Sequence, residues 1–134
     1  MTDELRIRIP EWTPPASLGV NAHKHWRSKH GPEQTARDIA FHATRSTVAQ
    51  RDWTCPDMPV LVAVVAWEKK SRRKDADNTL NCLKHTIDGM CEALGIDDKR
   101  FITAMAFQRI DPAKRGFVEL TIRPATVEER RLAA

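Results

Sequence analysis

Nothing in the chain approaches the roughly 18 consecutive apolar residues of a membrane-spanning helix. The longest apolar run, Val60 to Trp67, is only long enough for a buried strand. The N-terminal residues Met1-Thr2-Asp3-Glu4 lack the basic segment followed by an apolar one that marks a secretory signal, so the cytoplasm is the expected compartment. Cysteine is scarce as well. Cys55, Cys82 and Cys91 are odd in number and lack CxxC spacing, which argues against a disulfide framework and a zinc knuckle and for ordinary buried thiols. Internal repeats and low-complexity segments are absent, and no organic cofactor is expected.

What is present fits one soluble domain: 134 residues, 41% hydrophobic and 30% charged. The net charge of +4 is modest, but it is clustered. Between Lys69 and Lys74 only Ser71 is not basic, giving the run Lys69, Lys70, Arg72, Arg73 and Lys74. A second patch, His23-Lys24-His25-Trp26-Arg27-Ser28-Lys29-His30, interleaves cations with an aromatic ring. Both suit phosphate contacts, and both also suit plain solvated loops. Trp26 is either a stacking platform for an unpaired base or a loop anchor. For His23 and His25, phosphate contact or simple exposure outweighs metal ligation.

Periodicity predicts an α/β domain over residues 1–124, with a mixed β-sheet of about four strands flanked by two main helices. Leu5 to Ile9 alternates apolar and basic residues and reads as a strand closed by Pro10. Trp12 to Gly31, punctuated by Pro14-Pro15, Gly19 and Gly31-Pro32, reads as a long surface loop. Pro32 stands at the expected first position of a helix running to about Gln50. Val60 to Trp67 suits a central strand covered on both faces. From Asn78 to Leu94, Leu80, Leu83, Ile87, Met90, Cys91 and Leu94 fall on one side of a helix, which Gly95 stops. Two more strands are expected at Phe101 to Ile110 and Gly116 to Arg123, joined by a turn at Asp111-Pro112. Residues 125–134 read as a short tail, helical or disordered.

The chemistry concentrates after the central strand. In extended backbone, Asp75 and Asp77 point the same way, and two carboxylates that close repel unless a cation lies between them. Oxygen-only ligation favours Mg²⁺ or Mn²⁺ over zinc, and these ions serve phosphodiester hydrolysis. A helix N-cap would account for Asp77 and a pairing with Arg73 for Asp75, but neither accounts for Asp97-Asp98. If the helix begins near Asp77, then Asp77, Lys84 and Asp88 lie within about 40° of one another on its surface. Lys84 either stabilises charge on a phosphate or makes an i,i+4 ion pair with Asp88.

The order Asp75-Ala76-Asp77-Asn78, then Lys84, Asp88-Gly89 and Gly95-Ile96-Asp97-Asp98, resembles the RusA-type Holliday-junction resolvases. The resemblance covers most of the chain, including Pro14-Pro15 and Asn21, which look like that family's Pro-Pro-Ser-x-Asn loop. It implies a homodimer that makes paired nicks in four-way DNA junctions with Mg²⁺, for which Mn²⁺ can substitute. The metal-binding aspartates would be Asp75, Asp77 and Asp98, with Asp97 beside them, and the essential lysine Lys84. The interval from Asp77 to Lys84 is longer than the family pattern, so Asn81 competes for the lysine position, while the preserved spacing to Asp88 favours Lys84. DNA contacts would come from the basic run and from Asn21, Lys24, Trp26, Arg27 and Lys29. Two other readings are a metal-dependent nuclease acting on flaps or other branched DNA and a non-catalytic DNA-binding module.

The same motif raises a geometric difficulty. A helix from Asn78 to Leu94 is about 25 Å long, and the residues after it recover at most about 14 Å. Either the helix bends or ends early, or the acidic pair reaches the metal of the other subunit across a two-fold axis, and the second is expected.

Overall fold

The computed structural model describes residues 4–15, 26–56, 60–68 and 76–133, with side chains described at 4–15, 30–56, 82–97, 99–102 and 109–133. Strand β1 (Leu5–Pro10) turns its apolar residues inward, burying Leu5, Ile7 and Ile9 while Arg6 and Arg8 stay exposed. It pairs antiparallel with β4 (Phe117–Pro124), matching Ile7 to Leu120. Directly paired residues share a face, so Val118, Leu120 and Ile122 are buried on that same side. Strand β2 (Val60–Glu68) pairs antiparallel with β4 and parallel with β3 (Phe101–Ile110), giving the order β1-β4-β2-β3. The domain is thus mixed helix and strand.

Two helices supply the other half of the core, α1 (Trp26–Arg51) and α2 (Ala76–Leu94). Ala40 from α1 and Leu83, Met90 and Cys91 from α2 join the inward residues of β1 and β4 in one buried cluster. Both helices therefore lie on one face of the sheet. They pack against each other at Gly89, where an added Cβ would stand 2.1 Å from the Arg37 carbonyl oxygen. Arg37 Nε lies 3.3 Å from Glu92 Oε2, and His85 Nε2 lies 3.5 Å from Glu33 Oε1 along the same seam.

The start of α1 departs from the sequence expectation. Pro32 lies inside the helix, which begins at Trp26, so residues 26–31 are helical where a loop was expected. Proline lacks the N–H that would bond back to the Ser28 carbonyl, yet its fixed φ is compatible with the helix. By contrast α2 ends as its sequence indicates. Gly95, at φ 68°, donates its N–H to the Glu92 carbonyl and Ile96 donates to the Cys91 carbonyl, the paired bonds of a Schellman ending. Ile96 then packs on the core.

The β3 to β4 connection spans β2, which lies between those strands. Asp111 fixes its shape. One carboxylate oxygen accepts the Ala113 N–H and the other accepts those of Arg115 and Gly116, while its carbonyl accepts from Lys114. These bonds, led by that from Gly116, hold the Asp111 carboxyl below its ordinary value despite burial.

Helix α3 (Val127–Ala133) buries no residue and is held at its first turn. The Thr126 hydroxyl accepts the Glu129 N–H while Glu129 accepts the Thr126 N–H, a capping box. Arg123 also grips both Glu129 oxygens, at 2.8 and 3.2 Å. No helix among the described residues is long and apolar enough to cross a membrane.

Candidate active site

The acidic motif spreads along α2 and into the turn beyond it. The helix starts at Ala76, so Asp77 lies in its first turn rather than ahead of it, where the positive end of the helix dipole favours a carboxylate. Asn78 and Asn81 follow within the first turns. The side chains of these residues, like that of Asp98, lie outside the described set. Asp75, Lys69, Lys70, Arg72, Arg73, Lys74, Asn21 and Lys24 also fall outside the described residues, while Trp26, Arg27 and Lys29 are placed by backbone alone in the opening turns of α1.

Lys84 is exposed on α2 and Asp88 is half-buried one turn later. The ion pairs among the described residues include neither of them, so the i,i+4 bridge that competes with a catalytic role for Lys84 is not formed. Its neighbour His85 turns instead toward Glu33 on α1. Successive residues on a helix differ by about 100°, which allows adjacent side chains to serve a surface and a seam.

Beyond Gly95 the chain forms a single 3₁₀ turn, Asp98–Arg100. Asp97 begins it, with Oδ1 accepting the Lys99 N–H at 3.0 Å and its carbonyl accepting that of Arg100. Arg100 in turn donates to the Pro56 carbonyl at 2.7 Å, fastening this turn to the segment before β2. At least one oxygen of the Asp97 carboxylate therefore shapes backbone, as an Asx turn does.

Topology sets the distance between the two acidic groups. A parallel β2-α2-β3 crossover must send α2 back along the sheet. Asp97 and Asp98 consequently precede β3 at the edge where β2 begins, since Phe101 pairs with Val60. Asp77 lies at the other end of a helix about 28 Å long. One subunit keeps them apart, and among the described residues no three His, Cys, Asp or Glu side chains converge as metal ligands would.

The packing role of Gly89 and the placement of Arg8 were not read from the sequence. Gly89 is part of the Asp88-Gly89 motif, and its role is to let the α1 backbone approach; a glycine in mid-helix is the signal for such a contact. Arg8 places its guanidinium 4.0 Å from the centre of the Phe117 ring, beside the Asp111 turn. Strand pairing alone brings those residues together, and no local motif announces it. Neither a scan of protein-family models nor a search of curated proteins finds a match to this chain.

Proposed function

We propose that the protein is a metal-dependent, structure-selective endodeoxyribonuclease that acts as a homodimer in the cytoplasm and resolves four-way DNA junctions by paired nicks. The observation that carries this reading is Lys84, exposed and without an ion-pair partner among the described residues, on the helix that separates Asp75-Ala76-Asp77-Asn78 from Asp97-Asp98. Pairing with Asp88 in this Lys-first i,i+4 order is worth at most about 0.2–0.5 kcal/mol, so it leaves Lys84 able to reach a phosphate.

Asp75, Asp77 and Asp98, with Asp97, are the residues that would hold Mg²⁺ or Mn²⁺, and their all-oxygen donor set suits a hard cation. When bound, the ion supplies Lewis-acid neutralisation of charge on the phosphoryl group. Lys84 adds a positive charge to the same phosphate. The run Lys69, Lys70, Arg72, Arg73 and Lys74 holds the DNA backbone, and Asn21, Lys24, Trp26, Arg27 and Lys29 extend that grip. Because α2 separates the acidic groups, each site pairs Asp75 and Asp77 of one subunit with Asp98 of the partner subunit.

Cleavage of a four-way junction, a flap and a linear duplex, each with Mg²⁺ and with EDTA, tests the reading. The expected result is symmetrical nicking of the junction in Mg²⁺ alone. Asp75→Asn should retain binding while cutting falls beyond the roughly 10–100-fold typical of losing a group that merely supports a ligand. Preferential cutting of flaps would redirect the assignment, and binding without cutting under any divalent cation would make the chain a DNA-binding module.

A further inference from the structure

Four exposed cations gather at the sheet edge where β2 ends: Arg8 on β1, Arg109 near the end of β3, and Lys114 and Arg115 in the β3 to β4 turn. Strand register fixes their relation. Pro10 pairs with Phe117, Phe117 with Trp67, and Trp67 with Arg109, so one row of residues crosses the whole sheet a single residue before β2 ends at Glu68. The 111–116 turn must pass over the end of β2 to join β3 to β4. In sequence, the basic run Lys69 to Lys74 follows Glu68 directly.

The turn is rigid by construction. Asp111 takes three N–H groups into its carboxylate, so the cations on the turn are presented with little backbone freedom left to lose. Its carboxylate stays charged and attracts Arg8, so it offsets part of the positive charge at this edge and leaves Lys114 and Arg115 as the main cations there. The other acid at this edge, Glu11, meets Arg115 only at 3.9 Å between two side chains more than 70% exposed, a pair too weak to neutralise the patch. Glu119 is the direct cross-strand partner of Arg8, half-buried on the same face, and it offsets part of that residue's charge. Between Arg8 and the turn is a concavity of about 320 Å³, bordered by Pro10, Glu11, Asp111, Arg115 and Phe117. Arg8, stacked on the Phe117 ring, is held beside it.

We propose that this edge, Arg8 with Lys114 and Arg115, is a second DNA-backbone contact that carries the duplex arm away from the cutting centre. The inference rests on the nuclease reading and deepens it, naming a further phosphate surface on the described part of the sheet. Cations on a preformed turn bind phosphates with only their side chains left to order, and they carry no base specificity.

The test measures binding of a labelled four-way junction over a range of salt, with Ca²⁺ replacing Mg²⁺, for the full chain and for Lys114→Gln/Arg115→Gln. The expected result is at least a roughly tenfold weaker affinity at physiological salt, with the slope of log K against log salt reduced by about two. The loss should be uniform across junction sequences, and Arg8→Gln should reduce the slope by about one more. Unchanged thermal unfolding of the variants excludes misfolding as the cause. Wild-type affinity and slope in the folded double variant would overturn the proposal while leaving the nuclease reading intact. Failure of the unaltered protein to bind junction DNA would overturn both.

Discussion

Gly89 and Gly95 lie close in sequence, yet they are needed for different reasons and should respond differently to substitution. A Cβ at Gly89 would meet the Arg37 backbone at 2.1 Å, whereas at Gly95 nothing lies within 4 Å and only the positive φ objects. Gly89→Ala gains about 1 kcal/mol of helix propensity but must push two helices apart, and overpacking typically costs about 1–3 kcal/mol. The contact is with backbone, so the upper end of that range applies and urea denaturation should show a net loss. Gly95→Ala should lose roughly 1–2 kcal/mol, and Gly95→Asn less, because asparagine tolerates the left-handed region. Thr86 offers the opposite outcome. Its hydroxyl is fully buried with no hydrogen-bond partner among the described residues, so Thr86→Val should stabilise the fold by about 1 kcal/mol.

Among the elements, α3 carries the clearest pH dependence. Arg123, followed by the Thr126 N–H, holds the Glu129 carboxyl down to about 2, from an ordinary value of 4.5. A carboxyl depressed in the folded form stabilises it above the ordinary value and loses that contribution as pH falls. The capped start of α3 should therefore loosen between about pH 4.5 and 2, read from the amide shifts of residues 126–129, and Glu129→Gln should abolish the titration. Asp111 titrates in the same direction, so the β3 to β4 turn should follow on acidification. The sequence made some of these elements plain and hid others. Gly95 followed by Ile96 announced the end of α2, and alternation announced β1. Pro32 misled because proline is favoured at the first helical position, and nothing local indicates that the preceding residues 26–31 will also coil. The Thr126 to Glu129 signature of a capping box was readable but opened a segment with no apolar stripe. In the candidate site, spacing showed that Lys84 and Asp88 share a surface. Whether they pair depends on rotamers, which spacing does not encode.

For the whole molecule, two quantities matter: the core and the dimer. Leu120 sits in the buried cluster shared by β1, β4 and both helices, so Leu120→Ala should cost about 2–5 kcal/mol in chemical denaturation. If each cutting centre draws acidic residues from both subunits, mixing chains carrying Asp75→Asn with chains carrying Asp98→Asn should restore activity. In the mixed dimer one centre has both substitutions and the other has neither, so single nicks should appear although each variant alone is inactive. Activity equally absent from the mixture would place all the ligands within one subunit.

The pairing of β1 with β4 has a consequence for biogenesis. Residues 5–10 find their neighbours only at 117–122, and β2 is flanked by β4 and β3, which are both synthesised after it. A ribosome-bound chain can assemble the α1–α2 pair early, but its first apolar strand stays without a seat until nearly all the polypeptide has emerged. Such long-range closure slows folding and leaves a sticky N-terminal segment waiting.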